Sequence, residues 1–282
     1  MIQPPLGLLT HLIALRSALY EEWAARANEP IVNLNSPTHL KLELLPYAVS
    51  EMWHALTSFI CATHSVAAKL DEDIPIHPEC FFLSDSDRDL LAYSIDAFMN
   101  AGRRAQNAVL PYVSSALRQS LPASLSDVFT KQGRTDLRKY PVLEPFAPML
   151  ESYWQAYGQS LRAYRVLMEH RTLVASEAFL ARSDAGTVVL HMLLPSNPDA
   201  ESPTKLIYDN PPVHALLYME QAFIALARFA ESMTRPLLPI PLPPKAYIIV
   251  ANRIAPIKTR KVFHPIPSIE EISARVKQFA QA

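Results

Sequence analysis

The stretch Leu161-Arg162-Ala163-Tyr164-Arg165-Val166-Leu167-Met168-Glu169-His170-Arg171 decides how the rest of the chain is read. Ala163, Val166, Leu167 and Met168 offer apolar surface for packing, while cationic and titratable groups crowd between them. Upstream, Leu150, Tyr153, Trp154, Tyr157, Leu161, Tyr164 and Met168 recur at spacings of three and four. That period is the mark of one helical face, so a helix is predicted from just after Pro148 to about Leu173.

C-terminal to this helix the pattern changes. The runs Leu173–Leu180 and Thr187–Leu194 are rich in β-formers and flank Ser183-Asp184-Ala185-Gly186, which reads as a hairpin turn. Thr204–Tyr208 is expected to add a third strand, giving a β element over about 173–209. Asn210-Pro211-Pro212 then reads as the cap of a helix through Leu216, Leu217, Phe223, Ile224, Ala227 and Phe229. Pro236–Pro244 is a polyproline-type strap whose Leu and Ile side chains call for burial along the body. Tyr247–Val250 suggests a last short strand. Residues 253–264 carry Arg253, Lys258, Arg260, Lys261 and His264 without an acid, either a phosphate-contacting patch or a solvated face. Ser268-Ile269-Glu270-Glu271 is a capping-box sequence that opens a terminal helix.

On the N-terminal side, Leu8, Leu9, Leu12, Leu15, Leu19 and Trp23 mark a first helix over 6–28. Ser36-Pro37 signals the start of a second, running to about Leu70 with Pro46 as a bend or break. Along it, His54 and His64 stand too far apart to share one metal and read as surface or partly buried histidines. Residues 71–83 read as a proline-punctuated connection. Ser84-Asp85-Ser86-Asp87 then opens a third helix with Leu91, Ile95, Phe98, Met99, Ala105 and Val109 as its stripe, ended or kinked at Pro111. Arg103 and Arg104 in that helix are either a basic contribution to a groove or the partners of Asp96 and Asn100. A short helix is expected over Ser124–Lys131, with a polar, mobile loop from Gly133 to Tyr140.

Composition narrows the functional classes. At 282 residues and 50% hydrophobic, the chain can bury a substantial core. A net charge of -1 exerts no overall pull toward nucleic acid or membrane, so any polyanion site must be local. Cys61 and Cys80 are too few for a disulfide framework or a cysteine zinc site and suit reduced thiols in a cytoplasmic protein. No signal sequence and no run of about 18 apolar residues is seen, so no membrane association is expected. With 5 Gly and 25 Pro, there is no Gly-rich phosphate loop, and long helices with stiff joints are favoured.

Arg165 and His170 stand in an R-x4-H arrangement. Five residues along a helix turn through about 140°, so the two side chains can converge only toward a groove shared with another helix or a second subunit. The structural alternative is an Arg165–Glu169 (i, i+4) pair, with His170 and Arg171 complementing the negative helix end. This run, late in a long helix of a predicted helical bundle, resembles the signature of the HEPN family over about residues 150–175. The resemblance implies a mainly α fold. It would be a HEPN-like multi-helix bundle with a small antiparallel β-hairpin insertion and a proline-rich C-terminal extension. We expect one helical domain over 1–282, with the strap and terminal helix at 236–282 packed on the same body.

The resemblance also implies function. Similar proteins are often metal-independent endoribonucleases of toxin–antitoxin or phage-defence systems that act as homodimers. Others bind nucleotides or partners without cleaving. On that basis Arg165 and His170 are the candidate catalytic residues, and Arg162, Tyr164 and Arg171 the candidate nucleic-acid contacts. No metal and no cofactor is called for. The expected partners are RNA or a nucleotide, a second copy of the chain and an antitoxin. A histidine near neutrality can move the proton of a ribose 2′-hydroxyl, and an arginine fork can neutralise charge growing on the phosphate. Val166 departs from the family pattern, in which a polar residue commonly follows the arginine; its apolar side chain puts cleavage in doubt. The competing expectation is a noncatalytic interaction protein whose motif positions serve the fold.

Overall fold

The computed structural model describes residues 37–73, 83–117, 119–170, 177–182, 188–234, 247–250 and 262–265, and side chains within 44–70, 83–114, 117, 119–169, 177–181 and 188–234. The expected first helix over 6–28, the Ser36 cap, residues 74–82 of the expected connection, the turn at 183–186, the strap at 236–244 and the terminal helix lie outside the described residues. The described chain is mainly helical with a small antiparallel sheet. Its helices are α1 (Pro37–Asp73), α2 (Asp85–Leu117), α3 (Ala147–Tyr153), α4 (Gln159–His170) and α5 (Ala215–Thr234). Between α3 and α4 the helix continues as a π-type segment, Trp154–Gly158.

The starts and stops follow local chemistry. At the N-terminus of α2, the Ser84 hydroxyl accepts from the Asp87 amide at 3.2 Å and donates to the Asp87 carboxylate at 2.8 Å. Lys69 donates to the same carboxylate at 2.7 Å, and with Ser84 it holds Asp87 below the usual carboxyl range. Neither of the prolines read as a bend, kink or break ends its helix. Pro46 lies inside α1, and α2 runs on past Pro111 to Leu117. A helical proline removes one backbone bond, and here burial of the apolar stripes on both sides outweighs that loss. Leu45 and Val49 flank Pro46, and Val109, Leu110, Tyr112 and Val113 flank Pro111, all buried.

The chain forms two compact units. The first comprises Met1–Ser50, Arg104–Gln155 and Ile224–Ala282; the second comprises Glu51–Arg103 and Ala156–Phe223. In the first, Tyr153 stacks on Phe229 with ring centroids 4.3 Å apart, and its hydroxyl accepts from Gln106 Nε2 at 3.0 Å. Gln106 is fully buried, so this bond offsets much of the desolvation of its amide. The helix expected over Ser124–Lys131 is a shorter 3-10 turn, Leu125–Val128, whose first amide donates to the Asn107 side chain at 3.1 Å.

The loop from Gly133 to Tyr140, expected to be mobile, is tied down. The Glu151 carboxylate accepts from Arg134 at 2.8 Å and from the Thr135 amide at 2.9 Å, which together hold its pKa down. Phe129 stacks on Trp154 at 4.7 Å, and the Thr130 amide donates to the Arg134 carbonyl at 2.8 Å. Gly133 takes φ +74, the left-handed conformation that this tight reversal needs.

In the second unit, Trp53 of α1 packs on Phe223 of α5 at 5.3 Å. Gly102 of α2 lets α4 approach: a methyl group built there would lie 2.8 Å from Leu161 Cδ2 and 3.2 Å from Met52 Cε. Strand β1 (Glu177–Arg182) pairs antiparallel with β2 (Val188–Leu194) in the register Phe179↔His191 and Arg182↔Val188. This agrees with the hairpin read from the two β-rich runs. The third strand is not Thr204–Tyr208 but β3 (Val213–His214), paired to Leu193 and Leu194. Ser202-Pro203 instead opens a 3-10 turn, Pro203–Lys205. The Asn197 side chain then donates to the Lys205 carbonyl at 2.9 Å and accepts from the Ile207 amide at 2.8 Å. Because Val213 and His214 pair in the sheet, α5 begins at Ala215 rather than directly after Asn210-Pro211-Pro212.

Tyr247–Val250 forms the expected strand, β4. Its antiparallel partner β5 (Val262–Pro265) falls in the basic stretch and was not expected.

Candidate functional site

Helix α4 carries the motif, and its sides differ. Leu161, Ala163, Tyr164 and Leu167 are buried, Val166 and Met168 half-buried, and Arg162 exposed. Gly102 admits Leu161 against α2, which seats the helix. Tyr164 is 3% exposed, its hydroxyl donates to the Pro195 carbonyl at 2.7 Å, and its ring meets Tyr218 edge-on at 5.0 Å. Burial, with a smaller contribution from Tyr208, pushes its phenol well above the ordinary tyrosine range. It therefore stays a proton donor to Pro195, and little of its ring is available for a base to stack on. Around it, the Ser160 and Tyr218 hydroxyls share a hydrogen bond at 2.9 Å, and Tyr157 donates to Gln221 Oε1 at 3.2 Å.

Arg165 forms the (i, i+4) ion pair with Glu169. Their side chains are 35% and 31% exposed, so the pair is half-buried and its fork is partly occupied. From α2, Asp96 adds a second carboxyl on this side. It accepts from Asn100 Nδ2 at 3.0 Å. Burial raises its pKa, and the charge of Glu169 raises it further, while the Asn100 bond opposes both.

His170 closes α4, but its side chain lies outside the described residues, as does all of Arg171. Among the predicted site residues, the structure therefore places Arg162 and Arg165 one turn apart on α4 and puts Tyr164 in the packed side of the same helix. Asp96, Asn100 and Pro195 were not read as part of this region. The only signal for the first two was their own (i, i+4) spacing on α2. The Pro195 carbonyl carries no side-chain signal at all.

Among the described residues, no group of three His, Cys, Asp or Glu side chains is placed to hold a metal ion, and no helix is long and apolar enough to cross a membrane. No protein-family model, no curated protein and no solved structure matches the chain.

Proposed function

We propose that the chain is a noncatalytic HEPN-like interaction protein, a multi-helix bundle whose motif positions serve packing and assembly with a second copy of itself. The observation that carries this reading is the Arg165–Glu169 pair. An RNA phosphate approaching Arg165 would meet a guanidinium already bound by a carboxylate. Site-bound phosphate calls for convergent cations, whereas Arg165 is paired with an acid. The half-buried Val166 extends apolar surface between them.

A second reading, RNA binding with metal-independent cleavage, is favoured by the residual exposure of Arg165 and the exposure of Arg162 one turn earlier. An (i, i+4) pair is worth only about 0.3–0.5 kcal/mol, so a phosphate could displace Glu169 at small cost. In that reading a cytoplasmic homodimer would bring two motifs together, with an antitoxin as a further partner.

Binding of labelled single-stranded RNA as a function of salt separates the two. An interaction protein should show no affinity that Arg162→Ala or Arg165→Ala weakens. An RNA-binding protein should show affinity that falls with added salt, with a slope reduced by about one for each phosphate-contacting arginine removed.

A further inference from the structure

The three-stranded sheet has one face turned to the core and one turned away. Along β2, Val188, Leu190 and Met192 are buried, whereas Val189 is exposed and His191 half-buried. The register puts Phe179 of β1 opposite His191, and His214 of β3 opposite Leu193, on this second face. Three rings from three different strands meet there. Phe179 stacks on His191 at 4.7 Å with the planes 15° apart. His214 stands edge-on to both, 5.7 Å from Phe179 and 5.3 Å from His191. His214 Nδ1 is buried and meets no hydrogen-bond partner among the described residues.

We propose that His191 and His214 form a two-histidine binding site for a borderline divalent cation of the zinc class. Two imidazoles bound to one such ion each approach it to about 2.0–2.1 Å through a ring nitrogen. Rings 5.3 Å apart and set at 74° need only small side-chain rotations to bring two nitrogens to that distance. The stacked Phe179 ring holds the plane of His191, which reduces the rotamer freedom lost on ligation. A buried nitrogen with no donor is disfavoured by about 1–3 kcal/mol, and a cation bound at that atom would relieve this. Imidazole nitrogens suit zinc, copper and nickel over the hard oxygen-seeking cations. Glu177 lies on the same face, but no third protein ligand converges with the two rings among the described residues. The remaining coordination positions belong to water or to an incoming donor, so the ion is held in an open site. The site uses neither Arg165 nor Glu169, and the inference does not depend on whether RNA binds.

The test is isothermal titration of the metal-free full chain with zinc ion. Saturable binding at about one ion per chain is expected, weakened roughly tenfold or more in His191→Phe and in His214→Phe. Phenylalanine preserves ring packing while removing the ligand, and melts without metal report whether each variant folds. His54→Gln with His64→Gln, two exposed histidines on α1, should leave the binding unchanged. On the unaltered chain, zinc should protect His191 and His214 from carbethoxylation, read by peptide mass spectrometry. No saturable binding below millimolar zinc would overturn the proposal. So would undiminished binding in both folded Phe variants, or protection confined to His54 and His64.

Discussion

Replacing Gly102 by alanine tests the seating of the motif helix. The added methyl would stand 2.8 Å and 3.3 Å from the two methyls of Leu161 and 3.2 Å from Met52 Cε. Favourable carbon–carbon separations are about 3.5–4.0 Å, so the neighbours must move by several tenths of an ångström. Met52 can give at its flexible end, but Leu161 is 1% exposed and held on all sides. In a helix interior alanine is favoured over glycine by about 1 kcal/mol, whereas overpacking costs about 1–3 kcal/mol. The net expectation for Gly102→Ala is a destabilisation of about 0–2 kcal/mol, a range too close to zero to decide anything alone. The double-mutant cycle with Leu161→Ala does decide it. Leu161→Ala by itself should cost about 2–5 kcal/mol through the cavity it leaves. Together the two changes should be less damaging than their sum by about 0.5–3 kcal/mol, because the new methyl fills the vacated space. Urea denaturation with a common slope gives all four stabilities. Additivity within about 0.3–0.5 kcal/mol would mean that α4 does not meet α2 at Gly102, and the geometry around Arg165 would fall with it.

Two further outcomes follow from the same helix. Tyr164→Phe removes the donor to the Pro195 carbonyl and should cost about 1–2 kcal/mol; an unchanged unfolding midpoint would place that hydroxyl in solvent. Asp96→Asn should stabilise the chain at neutral pH, since it removes a half-buried charge while keeping an acceptor for Asn100. The sign follows from the raised folded-state pKa of Asp96. The native protein has its full share of stability from this group below the ordinary value of 3.8 and loses it as pH rises through the raised value. The advantage of Asn should therefore be present at pH 7 and vanish in melts below pH 3.8. An advantage independent of pH would rule out relief of a charge as its cause.

Much of the fold was legible because burial imposes a period. The stripes through Leu45, Val49 and Trp53, through Leu91, Ile95 and Phe98, and through Leu150, Leu161 and Tyr164 all face the core. The β-rich composition of Val188–Leu194 beside a glycine-containing turn marked a strand as well. What was not legible depends on contacts remote in sequence. Proline carries a local helix-breaking tendency, so Pro46 read as a bend or break and Pro111 as an end or kink, yet packing on either side carries both helices past them. The π-type segment Trp154–Gly158 adds a residue to one turn, which a 3.6-residue period cannot show. Loop 133–140 looked polar and free because its anchor, Glu151, sits on a helix that follows it. The site divides likewise: Arg165–Glu169 was readable from spacing alone, while the Asp96 carboxyl and the Pro195 carbonyl reach α4 only through the fold. His191 and His214 became a pair through strand register, which no spacing between residues 191 and 214 announces.

The most direct measurement of the central claim is incubation of the purified chain with end-labelled single-stranded RNA in EDTA, resolved on a denaturing gel. Intact RNA is expected at every protein concentration, for the unaltered chain and for Arg165→Ala and His170→Ala alike, because the guanidinium is engaged by Glu169. Cleavage that leaves 2′,3′-cyclic phosphate ends, and that falls by about 10²–10⁴-fold in His170→Ala and is likewise lost in Arg165→Ala, would contradict it.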